Sequence, residues 1–166
     1  MPKLFRILLA SAMILLSVAA IFFFSEQSGT ASHRSSQKVA EWTADGLIQM
    51  HPSSGYTLSD FKTISKVLEY PIRKLAHLCI YFILGLMVYL GLRFVLAEKM
   101  RPRYALFVVL LVFLVACADE INQYYSGGRG ASFSDVILDT CGGALGMYFF
   151  HIVKDFISHI KALFRK

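Results

Sequence analysis

The chain has 166 residues, of which 56% are hydrophobic and only 17% are charged, and its mean hydropathy is +0.56. A soluble protein this small must cover its core with charged residues, so this balance excludes an ordinary soluble domain. The net charge of +6 does not indicate a nucleic-acid partner, because the basic residues form no dense patch with interleaved aromatics. Long apolar blocks instead indicate an integral membrane protein.

Four apolar blocks predict an all-α, polytopic four-helix transmembrane bundle within a single domain, residues 1–166. The first block ends in three phenylalanines without a clear small-residue cleavage site, so we predict an uncleaved anchor rather than a signal peptide. The helices are expected at about residues 5–24, 75–96, 104–125 and 134–153.

The last two blocks are too short to cross a membrane without their flanking acidic residues. The uncharged stretch Tyr104–Ala118 has 15 residues and spans about 22 Å, against a hydrocarbon core of about 30 Å. We therefore expect the third helix to continue through Asp119 and Glu120. Likewise Thr140–Val153 is too short alone, so Asp139 is predicted to lie within the membrane.

Between the first two helices, residues 25–72 are more polar and are predicted to form an extracytoplasmic loop. Two amphipathic helices are expected there, around residues 37–50 and 57–70. They would form a short helical cap on the bundle or lie on the bilayer surface, and mixed charges on the opposite face favour the cap. The predicted apolar face of the second helix comprises Leu58, Phe61, Ile64, Val67 and Leu68.

Basic residues predict the orientation. With the N-terminus inside, ten of the 17 basic residues but only two of the 11 acidic residues fall in cytoplasmic segments. Because positively charged loops remain in the cytoplasm, both termini are predicted to be cytoplasmic.

The cysteines give no sign of a metal site. Cys79, Cys117 and Cys141 lie inside apolar blocks without C-x-x-C spacing, so neither a disulfide nor a zinc site is expected. We predict buried free thiols, no bound metal and no cofactor.

Polar side chains from three segments are predicted to meet at the outer end of the bundle. Charged groups inside a membrane are costly unless paired or hydrated, so they should face the bundle interior. The segments are the entry of the second helix, the end of the third, and the start of the fourth together with the glycine-rich turn before it. They supply Arg73, Lys74, His77, Tyr81, Asp119, Glu120, Gln123, Arg129, Ser132, Asp135 and Asp139.

Two interpretations of this cluster remain open. A structural ion-pair network would join Arg73 or Arg129 to Glu120 and Asp139. A binding or catalytic pocket is favoured, because the cluster contains more hydrogen-bonding groups than charge neutralisation requires. Ser134 is expected to cap the fourth helix.

In the pocket interpretation, His77 and Glu120 are the candidate catalytic groups, either serving as general base. Arg73, Lys74 and Arg129 would bind an anion such as a phosphate, and the remaining residues would bind ligand. We expect Glu120 to lie within ion-pair or hydrogen-bond reach of one of these cations or of His77.

Gly142 and Gly146 form a G-x-x-x-G motif with Gly143 beside it, which predicts close helix packing rather than ligand contact. The turn at residues 127–130 could bind an anion through its backbone or simply join two helices.

The runs K-L-A-H-L-C-I-Y-F-I-L-G and A-D-E-I-N-Q-Y-Y-S-G-G-R-G-A-S-F-S-D-V-I-L-D-T-C-G-G-A-L-G closely resemble the VanZ-like family. F-S-E-Q-S-G after the first helix matches its usual F-S-x-Q element, at Ser25 and Gln27. The resemblance implies a small protein of the bacterial cytoplasmic membrane, whose namesake confers low-level teicoplanin resistance. It implies no established chemistry.

The leading functional prediction is a cell-envelope protein that binds or modifies a membrane lipid or a lipid-linked envelope precursor, with glycopeptide resistance as the phenotype. A transferase or hydrolase acting on lipid head groups is the first alternative. Two further alternatives are a transporter or channel that uses Glu120, Asp135 and Asp139, and a structural membrane subunit. No nucleic-acid partner is predicted, and no oligomeric state follows from the sequence.

Overall fold

The computed structural model describes residues 2–25, 29–50, 55, 57–96, 102–127 and 132–163. In these ranges every residue except 2, 55, 57 and 132 is helical. The helices are α1 (Lys3–Ser25), α2 (Gly29–Met50), α3 (Leu58–Leu96), α4 (Pro102–Gly127) and α5 (Phe133–Leu163).

Four helices are long and apolar enough to cross a membrane, which confirms the predicted helical membrane bundle. Their spanning candidates are Lys3–Ser25, Leu58–Leu96, Arg103–Tyr125 and Phe133–Lys161. α4 continues through its two acidic residues, as the shortness of its apolar stretch required. α5 extends ten residues beyond the predicted end at residue 153.

The predicted break before the second membrane helix is wrong, because α3 is one helix of 39 residues. At 1.5 Å per residue it is about 58 Å long, roughly twice the thickness of the hydrocarbon core. Pro71 lies inside it and cannot donate a backbone hydrogen bond to the carbonyl one turn earlier. The helix continues through this proline while α2 packs alongside it.

α2 and the first part of α3 form a helical hairpin, which we call the cap. Ser36, Ala40 and Ala44 recur every four residues and are all buried, so a stripe of small side chains makes the contact with α3. The predicted apolar face of residues 57–70 is only partly buried: Leu58 and Val67 are exposed, whereas the buried residue is Ser65. Small residues, rather than the largest apolar ones, therefore form this contact.

α3 lies at the centre of the bundle and contacts each of the other four helices. Its contact with α5 is close enough to exclude side chains from the interface. A Cβ added at Gly142 would lie 2.7 Å from the Leu78 carbonyl oxygen, and one at Gly146 would overlap the Phe82 carbonyl. The G-x-x-x-G motif is thus a packing device, as predicted.

All three cysteines are free, as expected, but their predicted burial is wrong. Cys79 and Cys141 are exposed and Cys117 is half-buried. An apolar block in a membrane protein includes positions that face lipid, so lying within such a block does not imply burial.

Candidate functional site

The predicted polar cluster lies at one end of the bundle, which we call the site end. There α1 and α4 end and α5 begins, beside residues 73–81 of α3. Asp119, Glu120, Gln123 and Asp139 are all buried at this end.

Asp119 accepts two side-chain hydrogen bonds at the site end. The Tyr81 hydroxyl donates to its Oδ2 at 3.1 Å, and Gln123 Nε2 donates to the same oxygen at 3.0 Å. Gln123 Nε2 also donates to Ser25 Oγ at 3.3 Å. Asp119, which is only 1% exposed, and Gln123 therefore connect the end of α4 to the middle of α3 and to the end of α1.

Glu120 is held by the backbone rather than by a cation. Its Oε1 accepts a hydrogen bond of 2.6 Å from the Ser132 N–H, which joins the end of α4 to the start of α5. Among the described residues no ion pair of Glu120 with the predicted cations is present, and Arg129 lies outside those residues. The hydrogen-bond donor found for Glu120 is thus a main-chain amide and not one of the predicted side chains.

Ser132, not Ser134, occupies the position before the first residue of α5. Its carbonyl accepts from the Asp135 N–H at 3.0 Å, and its hydroxyl lies 2.7 Å from that of Ser134. The expectation that Ser134 caps the helix is wrong, because α5 begins at Phe133.

The cations form ion pairs that differ from those in the structural interpretation. Lys74 pairs with Asp135 across the α3–α5 interface. Arg73 lies 3.8 Å from Glu69 in its own helix, and Ser36 Oγ donates to the same Glu69 oxygen at 3.1 Å. The predicted pairing of Arg73 with Glu120 and Asp139 is wrong, because a closer carboxylate is available one turn away.

His77 faces the last member of the cluster. Its Nδ1 lies 3.9 Å from Asp139 Oδ2, too far for a hydrogen bond but within ion-pair range for a protonated imidazole. Asp139 is 3% exposed, and its Oδ1 has no hydrogen-bond partner among the described residues. Asp119 Oδ1 is in the same situation.

A cavity of about 220 Å³ opens beside this cluster, between α1, α2 and α3. Its walls are mainly apolar, and Arg73, His77 and Tyr81, spaced four residues apart along α3, line one side. His77 and Tyr81 also contact the buried carboxylates, so they separate the cavity from Asp119 and Asp139.

Two participants were missing from the prediction: Ser36 and Glu69, which hold Arg73 beside the cavity. The four-residue spacing of Glu69 and Arg73 was a usable signal. Nothing in the sequence pattern indicated Ser36, since its contact depends on how α2 packs against α3.

Comparison with protein families gives one match: the VanZ/LLP1 family model covers residues 10–154. The match includes all the predicted site residues. Comparisons with curated proteins and with solved structures found no match.

Proposed function

This chain belongs to the VanZ/LLP1 family, and we propose that it is a bacterial cell-envelope protein that binds the polar head group of a membrane lipid or lipid-linked precursor. The binding site would be the cavity at the site end. Glycopeptide resistance would follow if the bound component is a precursor or target that such antibiotics recognise.

The observation that carries this proposal is the amphipathic character of the cavity. Apolar side chains, including Ile21, Phe24 and Ile80, make up most of its wall, and the basic and hydroxyl groups of α3 lie on one side. An acyl or isoprenoid chain would contact the apolar wall while the head group reaches the polar side. Ligand pockets generally combine an apolar lining with a few placed polar groups.

Arg73 supports an anionic head group. It lines the cavity, and the ion pair that it forms with Glu69 among the described residues spans 3.8 Å, which occupies few of the five donors of a guanidinium. A phosphate or carboxylate could therefore be bound through the remaining donors.

The interior below the site disfavours the transport alternative. Leu84, Val88, Val108 and Val112 are fully buried and fill the space between α3, α4 and α5. Among the described residues, the next polar pair is Tyr89 and His151, 3.1 Å apart near the opposite end. A proton or ion path would have to cross this apolar layer.

Orientation is part of the proposal. The excess of basic residues at the end opposite the site supports a cytoplasmic location for that end. The site would then face outward, at the leaflet where lipid-linked envelope components are used.

An enzymatic version has one observation in its favour. His77 lines the cavity and faces Asp139, an arrangement in which a carboxylate orients an imidazole that acts as general base. In this version the protein would be a head-group transferase or hydrolase.

The cavity can be tested by filling it. Ala76 lines the cavity, whereas its exposed neighbour Leu75 does not, so Ala76→Trp and Leu75→Trp form a matched pair. We expect native mass spectrometry of the purified full chain to show retained lipid for the wild type and Leu75→Trp, and its loss for Ala76→Trp. Equal lipid retention by both variants would contradict binding at this cavity.

A further inference from the structure

We propose that His77, Asp119 and Asp139 form a binding site for a divalent transition-metal ion of the Zn²⁺ or Mn²⁺ class. One ligand atom from each residue, an imidazole nitrogen or a carboxylate oxygen, lies within 4.8 Å of the other two. The three residues come from α3, α4 and α5, so the ion would hold together the three helices that form the core of the bundle.

The spacing is close to what coordination requires. Protein ligands lie about 2.1 Å from such an ion, so three ligands that surround one ion lie about 3.4–3.6 Å from one another. His77 Nδ1 and Asp139 Oδ2, at 3.9 Å, are within about half an ångström of this spacing. The other pairs, which lie within 4.8 Å, would have to close by about 1.3 Å at most, which side-chain rotation supplies.

Two oxygens without a partner provide independent support. Asp119 Oδ1 and Asp139 Oδ1 are buried and accept no hydrogen bond from the described residues, although each residue is more than nine-tenths buried. Buried polar atoms are nearly always satisfied, so such an atom needs an explanation, and coordination of a metal ion is one explanation.

The hydrogen bonds at Asp119 are those expected of a metal-coordinating carboxylate that is held in one orientation. Tyr81 and Gln123 both donate to Oδ2, which fixes the carboxylate and leaves Oδ1 as its second acceptor. Carboxylates that bind metals are typically oriented in this way by outer hydrogen-bond donors.

The balance of charges at the site end also supports a bound cation. Lys74 pairs with Asp135 and Arg73 with Glu69, so the described cations at this end are engaged by other carboxylates. Asp119 and Asp139 together would bring two negative charges into a buried, membrane-embedded position, which is costly without compensation. One divalent cation compensates both.

The donor set indicates the class of metal. Imidazole nitrogen suits zinc and other transition metals, whereas carboxylate oxygen also suits manganese. Three protein ligands leave at least one coordination position open, as in catalytic rather than structural zinc sites. Since His77 also lines the cavity, a phosphate oxygen bound there would be near the open position.

The test uses the full chain purified without a polyhistidine tag, stripped of metal and titrated with Zn²⁺ or Mn²⁺ alone. We expect one ion per chain by isothermal titration and a higher melting temperature with metal, because a ligand that binds only the folded state stabilises it. Asp119→Asn and Asp139→Asn should each weaken binding at least about tenfold. Asp155→Asn, which removes an exposed carboxylate about 24 Å further along α5 from Asp139, should bind as the wild type does.

Absence of saturable binding by the wild type would overturn the proposal, as would equal weakening by all three substitutions. If Asp119→Asn and Asp139→Asn do not fold, electron paramagnetic resonance of the Mn²⁺-loaded wild type tests the proposal instead. Coupling to one imidazole nitrogen, lost in His77→Asn, is expected, and the absence of nitrogen coupling would contradict the assignment. No lipid is needed, so this result is separate from that of the cavity experiment.

Discussion

Lys74 and Asp135 form the part of the site end that most resembles a scaffold. They bridge α3 and α5, and both side chains are partly exposed, at 20% and 29%. An ion pair in such a position contributes little to stability, about 1 kcal/mol or less. Asp119 and Asp139 differ because they are buried and each has a carboxylate oxygen without a hydrogen-bond partner among the described residues. The residues that indicate a function are therefore Asp119 and Asp139, the carboxylates that the Lys74 and Arg73 ion pairs do not engage.

The sequence allowed us to predict which polar residues gather at the site end, but not which of them form hydrogen bonds or ion pairs with each other. The depth of Asp119, Glu120 and Asp139 followed from helix length, because two apolar stretches were too short to cross a membrane without them. Which donor meets which acceptor depends on helix rotation and on the turn before α5. The Ser132 N–H reaches Glu120 because of where that helix begins, which a residue pattern does not specify.

At the scale of elements, the α3–α5 interface depends on glycine. Gly146→Ala should lower the protein's abundance in the membrane and its melting temperature, because the new methyl group would overlap the Phe82 carbonyl. Overpacking of this kind typically costs about 1–3 kcal/mol.

Gly46→Ala in α2 is the matched control, since nothing lies within 4 Å of a Cβ at that position. It should be neutral or slightly stabilising, because alanine favours helix over glycine by about 1 kcal/mol. Measured by quantitative immunoblotting and thermal melting, equal behaviour of the two variants would contradict the close packing.

The helices themselves were largely predictable, and the boundaries less so. The lengths of the hydrophobic blocks predicted the four spanning helices, but the separate helices expected at residues 57–70 and 75–96 are one continuous helix. The cap was expected from amphipathic spacing. However, its contact uses Ala40, Ala44 and Ser65 instead of the large apolar residues, because close packing of two helices favours small side chains.

For the whole molecule, the proposed orientation predicts where each end lies. A reporter inserted at Gly55, between α2 and α3, should be active outside the cytoplasm, and one fused after Lys166 should report the cytoplasm. Alkaline phosphatase and green fluorescent protein fusions, each used at both positions, provide reciprocal controls. The reverse pattern at both positions would place the site end in the cytoplasm and remove the argument for an outward-facing cavity.

The central claim is that the buried polar cluster serves function and not only folding. The most direct measurement compares membrane abundance with envelope phenotype, scored as teicoplanin tolerance and lipid composition, in a deletion strain carrying Glu120→Gln or His77→Asn. Glutamine retains an oxygen that can accept from the Ser132 N–H, and asparagine is polar and close in shape to part of the imidazole ring, so folding should survive. We expect near-normal abundance and loss of the wild-type phenotype for both variants. If both disappear from the membrane, or both restore the phenotype fully, the cluster is a structural network and the functional assignment is wrong.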